Sequence, residues 1–276
     1  MLGNLARLLR HRALIQSLVV RDLKARYRGS TLGFFWSFIN PLLLLLVYSF
    51  VFTHVMPASK DPRVDPYALF MFCGILPWTW FASSLTEASG VLISGGNLIK
   101  KVLFPAEVLP IVTVLANMIH FFFGLVILAG FLLWYQRPLH LSELAVFPLV
   151  VLIQLILTLG FALLLSALTV HFRDIRDILS NLLTFWFFGT PIIYPYFMFI
   201  DGTWQANLLR LNPFTHLAIT YQEILFFDAS PENLANQFGP VGHFKWLLVL
   251  GALSVAFFLF GYFIFDRLRD SFAEEV

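Results

Sequence analysis

The chain has 276 residues, of which 59% are hydrophobic and 12% are charged, and its mean hydropathy is +0.82. Soluble domains contain about 25% charged residues, so this chain has too little polar surface for a soluble fold. The composition predicts an all-α, polytopic membrane protein. The single cysteine, Cys73, excludes an internal disulfide and lies in an apolar run, where a buried thiol is expected.

The first predicted element is an amphipathic helix within residues 5–28. Apolar residues recur there mainly at spacings of three, four and seven, and basic residues recur between them. The apolar set is Leu8, Ile15, Leu18, Val19, Leu23 and Tyr27, and the basic set is Arg10, Arg21, Lys24 and Arg28. This pattern is typical of a helix in the membrane interface, so we assign an N-terminal cytoplasmic interface helix to residues 1–31. A basic flank that only orients the first span is the alternative.

Six hydrophobic segments follow, each long enough to cross the roughly 30 Å hydrocarbon layer as a helix. We place them at 32–54, 66–88, 107–135, 144–170, 178–198 and 244–265. Together they form a transmembrane domain at 32–265, and a cytoplasmic tail follows at 266–276. Thirteen of the eighteen Lys and Arg residues fall on the side that carries the N-terminus. The positive-inside rule therefore puts both termini in the cytoplasm, as an even number of spans requires.

One segment between the fifth and sixth spans does not fit a simple crossing. The stretch NPFTHLAITYQEILFF, residues 212–227, has the apolar spacing of a helix but is too short and too polar to cross. We predict that it lies in the outer interface or dips partway into the membrane and returns, within an extracytoplasmic gate region at 199–243. A loop helix packed on top of the bundle is the alternative.

The sequence contains no recognisable catalytic constellation. The seven histidines show no helical ligand spacing, and neither a GxSxG elbow nor a GxxxxGK[ST] phosphate loop occurs. We therefore predict no catalytic residue, no metal site and no cofactor in this chain, so energy-driven work would need an ATPase on another chain. His120 lies beside Asn117 in mid-membrane, either as an interhelical hydrogen-bonding pair or as a pathway lining.

Four motifs occur in order along the chain. They are RDLKARYRGSTLGFFWSFINP at 21–41, KKVLFPAEVLP at 100–110, HFRDIRDIL at 171–179 and TPIIYP at 190–195. With these motifs and six spans, the chain resembles the permease subunits of bacterial ABC exporters for surface polysaccharides, in the type-2 exporter family. It is most similar to the O-antigen branch, the Wzm-like permeases, with teichoic-acid and capsule permeases close behind. The resemblance covers essentially the whole chain.

The resemblance implies a transporter permease and not an enzyme. Two copies would form a homodimeric channel in the bacterial inner membrane, with both termini cytoplasmic. A dimeric ABC ATPase subunit, which carries the ATP and Mg²⁺, would drive export of a polysaccharide linked to undecaprenyl diphosphate. Membrane lipid is an expected partner, and nucleic acid is not. Teichoic acid, capsule, or a small drug or lipid are alternative cargoes. An intramembrane enzyme acting on lipid-linked sugars and a membrane anchor for the ATPase are competing classes.

The resemblance also assigns candidate residues to three roles. Aromatic rings can stack on the apolar faces of sugars, and the expected channel-lining rings are Trp36, Phe38, Tyr48, Phe185, Phe188 and Tyr194. Asn40 and Asn181 would add polar contacts. The expected ATPase-coupling residues are Lys100, Lys101, Phe104, Arg173, Asp174, Arg176 and Asp177. The expected lipid-diphosphate entrance is Arg21, Lys24, Arg26 and Arg28. Packing, solvated turns and topology are the competing explanations for the three sets.

Overall fold

A computed structural model of the chain describes residues 12–55, 62–100, 104–137, 144–199, 203–227 and 240–275. Within these ranges the chain is helical and contains no strand. The α-helices are α1 (Arg12–Arg26), α2 (Trp36–Phe50), α3 (Tyr67–Ser94), α4 (Gly96–Ile99), α5 (Val108–Trp134), α6 (Phe147–His171), α7 (Ile175–Phe188), α8 (Trp204–Leu211), α9 (Pro213–Leu225), α10 (Pro240–Leu268) and α11 (Phe272–Glu275). A 3₁₀ turn at Gly33–Phe35 precedes α2, and a π-helical turn at Val51–Val55 extends it.

Five helical stretches are long and apolar enough to cross a membrane. They are Gly33–Phe50, Tyr67–Ser94, Val108–Trp134, Phe147–His171 and Trp246–Ser271. These stretches coincide with the first, second, third, fourth and sixth predicted spans. The all-helical, multi-pass class is therefore confirmed, whereas the predicted count of six spans is not.

The predicted fifth span, 178–198, is not one continuous helix. The α-helix there is α7, whose 14 residues rise about 21 Å, and a short 3₁₀ turn follows at Tyr196–Met198. The helix ends at Phe188, and Pro191 shortly afterwards has no backbone N–H with which to continue it. The turn that follows packs on the beginning of α3, where the Tyr67 hydroxyl donates to the carbonyl oxygen of Ile193. Hydropathy alone cannot distinguish a full span from a shorter helix followed by a buried apolar turn.

Helix α9 lies inside the bundle, packed against α3, α6 and α10. Eleven of its thirteen residues are buried, so it has no single apolar face of the kind that a surface helix shows. The ring of Phe214, in its first turn, lies 5.0 Å from the rings of Trp78 and Phe81 in the middle of α3. Phe226, just beyond its end, contacts Phe70 near the beginning of α3. The helix therefore runs outward from mid-bundle depth and does not sit on top of the bundle.

Helix α1 packs along the side of α5. Leu18 and Val19 are buried against Val108, Val112 and Ala116. The contact orders the helix through two of its apolar residues and leaves most of its basic residues exposed. Its position in a membrane interface remains a prediction, and residues 5–11 of the predicted helix lie outside the described residues.

The two chain-terminal elements lie at the same end of the bundle. Phe272 of α11 is fully buried in a cluster with Leu92 and Ala106, close to the residues on which α1 packs. His171 Nε2 lies 3.0 Å from the Ser271 hydroxyl, so the end of α6 is tied to the C-terminal segment. Because α7 and the turn after it return the chain to the end where α3 begins, the five long helices leave the first and last described helices at the same end of the bundle.

Candidate functional site

A polar stripe runs along an accessible side of α3. Thr79, Ser83, Thr86 and Gly90 recur every three to four residues and share one helical face, and none of them is buried. Near one end, Thr79 and Ser83 line a cavity together with residues of α2. At the other end, a Cβ placed on Gly90 would lie 3.8 Å from Nη1 of Arg176, at the beginning of α7. The stripe therefore lies between α2 and α7.

Helices α2 and α7 add amide and hydroxyl groups on their own exposed sides. Asn40 is exposed on α2, and Asn181 and Thr184 are exposed on α7. Polar groups within a span are unfavourable against lipid, so a surface that carries several of them is expected to face water or another protein chain. Of the most apolar 18 residues in each span, 11% are buried in the first span and 83% in the second, so the described part of a single chain leaves the α2 side largely uncovered.

Three of the six predicted channel aromatics lie on this side of the molecule. Phe185 and Phe188 are 79% and 58% exposed on α7. Trp36 lines the cavity beside the stripe, and its indole N–H donates to the Ser30 hydroxyl at 3.0 Å. These three rings are placed where a molecule moving along the surface would meet them.

The other three predicted aromatics make packing contacts. Phe38 packs on Phe123 of α5, with ring centroids 4.7 Å apart. Tyr48 is half-buried against the main core. The hydroxyl of Tyr194 donates at 2.8 Å to the carbonyl oxygen of Phe188 and thereby joins the turn after α7 to the end of that helix. A channel-lining role for these three residues stays a prediction.

The four basic residues of the predicted diphosphate entrance are not equivalent. All four are exposed, and Arg21, Lys24 and Arg28 carry their charges on the surface of α1 or just after it. Arg26 instead bonds to two carboxylates, with Nη2 2.5 Å from Glu87 Oε2 and Nε 2.9 Å from Asp22 Oδ2. Burial lowers the pKa of Arg26, but the hydrogen bonds and charges of Glu87 and Asp22 more than offset burial, so this pKa lies above its ordinary value. Arg26 therefore ties α1 to α3.

Asn117 and His120 on α5 complete this polar cluster. Arg26 Nη1 donates to Asn117 Oδ1 at 3.2 Å, and Asn117 Nδ2 donates to Glu87 Oε2 at 2.9 Å. His120 Nδ1 lies 3.4 Å from the hydroxyl of Tyr27. Asn117 and His120 thus hydrogen-bond to residues outside α5, and both also line the cavity beside the stripe, so a pathway-lining role stays a prediction. Their partners, the end of α1 and Glu87, are distant in sequence and were not predicted.

The predicted coupling residues within the described part of the chain gather at the end of the bundle where α11 packs. Lys100 is exposed after α4, and Lys101 lies outside the described residues. Phe104 packs on the cluster that contains Leu92, Ala106 and Phe272. The four charged residues of the FRDIRD loop are exposed at the beginning of α7: Arg173, Asp174, Arg176 and Asp177. Across the described ranges none of these four takes part in an ion pair, so their charges face solvent.

Asn212 holds the break after α7 to the beginning of α9. The indole N–H of Trp186 donates to Asn212 Oδ1 at 2.7 Å, and Asn212 Nδ2 donates to the carbonyl oxygen of Gly189 and to Thr190 Oγ1, both at 2.9 Å. The same Oδ1 accepts the backbone N–H of Phe214 at 3.0 Å as a helix cap. Asn212 was not among the predicted site residues, although Asn followed by Pro is a recognisable helix start.

The accessible surface between α2 and α7 offers amides, hydroxyls and aromatic rings. Such groups make many weak contacts with a hydroxyl-rich solute and need not fix it in one position. Among the described residues, no group of three His, Cys, Asp or Glu side chains is placed to hold a metal ion. A multi-pass helical fold with such a surface along its spans is typical of a membrane transport protein.

Comparison with known proteins identifies the family. Residues 13–226 match the family of ABC-2 type transporters, and the chain belongs to this family. It is therefore a transporter membrane protein, and the family predicted from the four motifs is confirmed.

The relatives indicate the kind of cargo that similar permeases carry. The chain is 39% identical over 270 residues to the O-antigen export system permease protein RfbA of Myxococcus xanthus, covering 98% of this chain and 97% of that protein. It is 31% identical over 255 residues to the protein of the same name in Klebsiella pneumoniae, covering 92% and 91%. It is 22% identical over 213 residues to the polysialic acid transport protein KpsM of Escherichia coli, covering 74% and 77%.

Proposed function

We propose that this chain is the membrane-spanning permease of an ATP-driven exporter of O-antigen-type polysaccharide in the bacterial inner membrane. The observation that carries the proposal is the 39% identity to an O-antigen export permease across 97% of that protein. The amide, hydroxyl and aromatic surface between α2 and α7 suits a hydroxyl-rich polymer that slides. The cargo is carried on undecaprenyl diphosphate, and the exposed Arg21, Lys24 and Arg28 attract the diphosphate.

Two copies of the chain form the pathway. Among the described residues of one chain, the polar stripe of α3 and one side of α2 remain accessible, and polar groups inside a span are unfavourable against lipid. A twofold pair turns these two surfaces toward each other and encloses a polar channel.

A cytoplasmic ABC ATPase dimer drives the permease, with ATP and Mg²⁺ bound on the ATPase. The exposed charges of Arg173, Asp174, Arg176 and Asp177 lie at the end of the bundle where α11 packs. The bias of basic residues places this end in the cytoplasm, where the ATPase binds. The opposite end is closed by α8 and α9, which act as the extracytoplasmic gate with Asn212 as its fixed point.

Complementation tests the proposal. The chain is expressed in the strain from which it comes after deletion of its own gene, and antibody binding to intact cells measures surface O-antigen. Deletion is expected to abolish surface O-antigen and to raise the intracellular pool of lipid-linked glycan, and re-expression is expected to reverse both. A matched strain with an inactive partner ATPase should behave like the deletion.

Other outcomes identify other cargoes. Loss of capsule with O-antigen intact would refute the O-antigen assignment and favour a capsular polymer, in line with the 22% identity to a polysialic acid transport protein. A change confined to drug or lipid extrusion would refute polysaccharide export altogether.

A further inference from the structure

A cavity of about 410 Å³ lies beside the polar stripe, enclosed by the end of α1 together with α2, α3 and α5. We propose that each subunit uses this cavity to bind one or two sugar residues of the exported glycan, as neutral rings and not as the diphosphate. This inference rests on the proposed function and adds to it a defined sugar site on the cytoplasmic side of the pathway. The cavity volume falls within the roughly 300–1,000 Å³ that small-molecule sites occupy. A cavity of this size is too small for a polymer.

The residues that line the cavity include the aromatic side chains of Trp36, Trp80 and Phe121. The indole N–H groups of Trp36 and Trp80 are already engaged, donating to the Ser30 hydroxyl at 3.0 Å and to the carbonyl oxygen of Val114 at 3.2 Å. Trp80 stacks on Phe121 with ring centroids 5.2 Å apart. Trp80 and Phe121 are only 2% and 3% exposed, so they form the floor of the cavity. Trp36 is half-buried and its indole nitrogen is already satisfied, so its ring is the one of these three that can offer an apolar face to the C–H face of a sugar.

The remaining wall supplies groups that bind sugar hydroxyls. Asn40 and Ser83 line the cavity, and neither side chain has a hydrogen-bond partner within the described parts of the chain. An amide and a hydroxyl together offer both donors and acceptors, as vicinal hydroxyls require. Glu87 adds an acceptor at the cytoplasmic end of the same wall.

The charge of the cavity disfavours a phosphate. Arg26 is the arginine among the lining residues, and its guanidinium already bonds to Glu87 and Asp22. A diphosphate approaching Arg26 would meet two carboxylates, and like charges at short distance repel. The exposed basic residues outside the cavity are better placed for the diphosphate, so sugar and diphosphate bind at separate points.

Thiol protection tests the sugar site in the complete complex with its ATPase, reconstituted in lipid nanodiscs. Ser83→Cys places a thiol in the cavity, and the unmodified chain supplies the background because its Cys73 is fully buried. The rate of maleimide labelling is measured with the strain's lipid-free glycan, with its lipid-linked glycan and with inorganic diphosphate. Both glycans are expected to slow labelling, and diphosphate is expected to leave it unchanged. Protection by diphosphate but not by lipid-free glycan would overturn the proposal.

A second thiol separates this inference from the proposed function. Phe185→Cys lies on the exposed side of α7, outside the cavity, and reports whether glycan enters the pathway during ATP-driven transport. Protection at this position without protection at Ser83→Cys overturns the sugar site and leaves the exporter assignment standing. Absence of protection at both positions, in a complex that hydrolyses ATP, counts against both proposals.

Filling the cavity gives a second readout that does not depend on labelling at Ser83. The double variant Asn40→Leu with Ser83→Leu removes both groups that bind sugar hydroxyls. The readout is the lipid-free glycan concentration that gives half-maximal protection of a thiol at Thr79→Cys, on the cavity rim. Losing two hydrogen bonds of about 1 kcal/mol each is expected to raise this concentration by about 10–30-fold. Val126→Leu on the exposed side of α5 is the matched control and is expected to have no effect. Unchanged half-protection in a folded double variant would refute the site.

Discussion

The close backbone approach between α6 and α10 yields a quantitative test of the fold. A Cβ atom on Gly261 would lie 2.4 Å from the carbonyl oxygen of Gly160, and a Cβ on Gly160 would lie 2.9 Å from the Cα of Phe258. Ordinary contact begins at 3.4 Å, so Gly261→Ala needs a separation of 1.0 Å between two helix backbones. No side-chain rotation can relieve this clash, because the atom met by the new methyl group is part of the backbone.

The expected magnitude follows from comparing three glycines. Overpacking a tight interface destabilises a protein by about 1–3 kcal/mol. Replacing Gly by Ala within a helix stabilises the helix by about 0.5–1 kcal/mol. A methyl group added at Gly130 would have no neighbouring atom within 4 Å, so Gly130→Ala should be neutral or stabilising. At Gly124 the new methyl meets the end of the Leu76 side chain at 2.4 Å, which can rotate away, so an intermediate effect is expected.

The assay is unfolding of the purified chain in mixed micelles titrated with SDS, followed by circular dichroism. Because all three variants make the same Gly-to-Ala change within a helix, the difference between Gly261→Ala and Gly130→Ala isolates the packing cost at about 1–3 kcal/mol. Equal unfolding midpoints for Gly261→Ala and Gly130→Ala would refute the close approach of α6 and α10.

Three further predictions concern the functional surface. Changing Arg173 and Arg176 together to Gln should lower transport-coupled ATPase activity in reconstituted complexes while membrane assembly stays intact; normal coupled activity would exclude the FRDIRD loop from coupling. Asn212→Ala removes the hydrogen bonds that hold the break after α7 and should destabilise the chain by about 1–3 kcal/mol in the same SDS titration; an unchanged midpoint would show that those bonds do not hold the gate segment. Glu87→Gln weakens the ion pair with Arg26 and should speed amide hydrogen exchange in α1, measured by mass spectrometry; unchanged exchange would contradict the role of that pair in holding α1.

The membrane class could be predicted from the sequence, and the family could be predicted from the four motifs, because both depend on local properties of the chain. Long apolar runs must form helices in lipid, since an unsatisfied backbone group there costs several kcal/mol. The limits of α3, α5 and α6 accordingly lie close to the predicted spans, although α3 continues to Ser94. The same reasoning wrongly predicted a helix through the motif TPIIYP, because the apolar side chains of this motif are buried in a turn and not in a helix.

Tertiary packing decided the features that sequence could not supply. Phe38 and Phe185 have the same chemistry and both lie in aromatic-rich segments, yet one packs on Phe123 and the other is 79% exposed. Helical periodicity places a residue on a face but does not say which neighbour covers that face. The burial of α9 on all sides follows from the gap among α3, α6 and α10 and has no local sequence signature.

The polar cluster around Arg26 shows that residues distant in sequence changed the interpretation of the basic motif at 21–28. Arg26 belongs to a run of basic residues that predicts a phosphate-binding patch, but its partner Glu87 lies 61 positions further along the chain and Asn117 lies 91 positions further. Once these partners are in place, Arg26 holds α1 against α3 and α5. In the proposed function the positive charge for a lipid diphosphate would come from the exposed Arg21, Lys24 and Arg28. The basic run therefore divides into one residue that is bonded to carboxylates beside the cavity and three exposed basic residues outside it. This division is the reason for proposing separate binding points for the sugar and for the diphosphate.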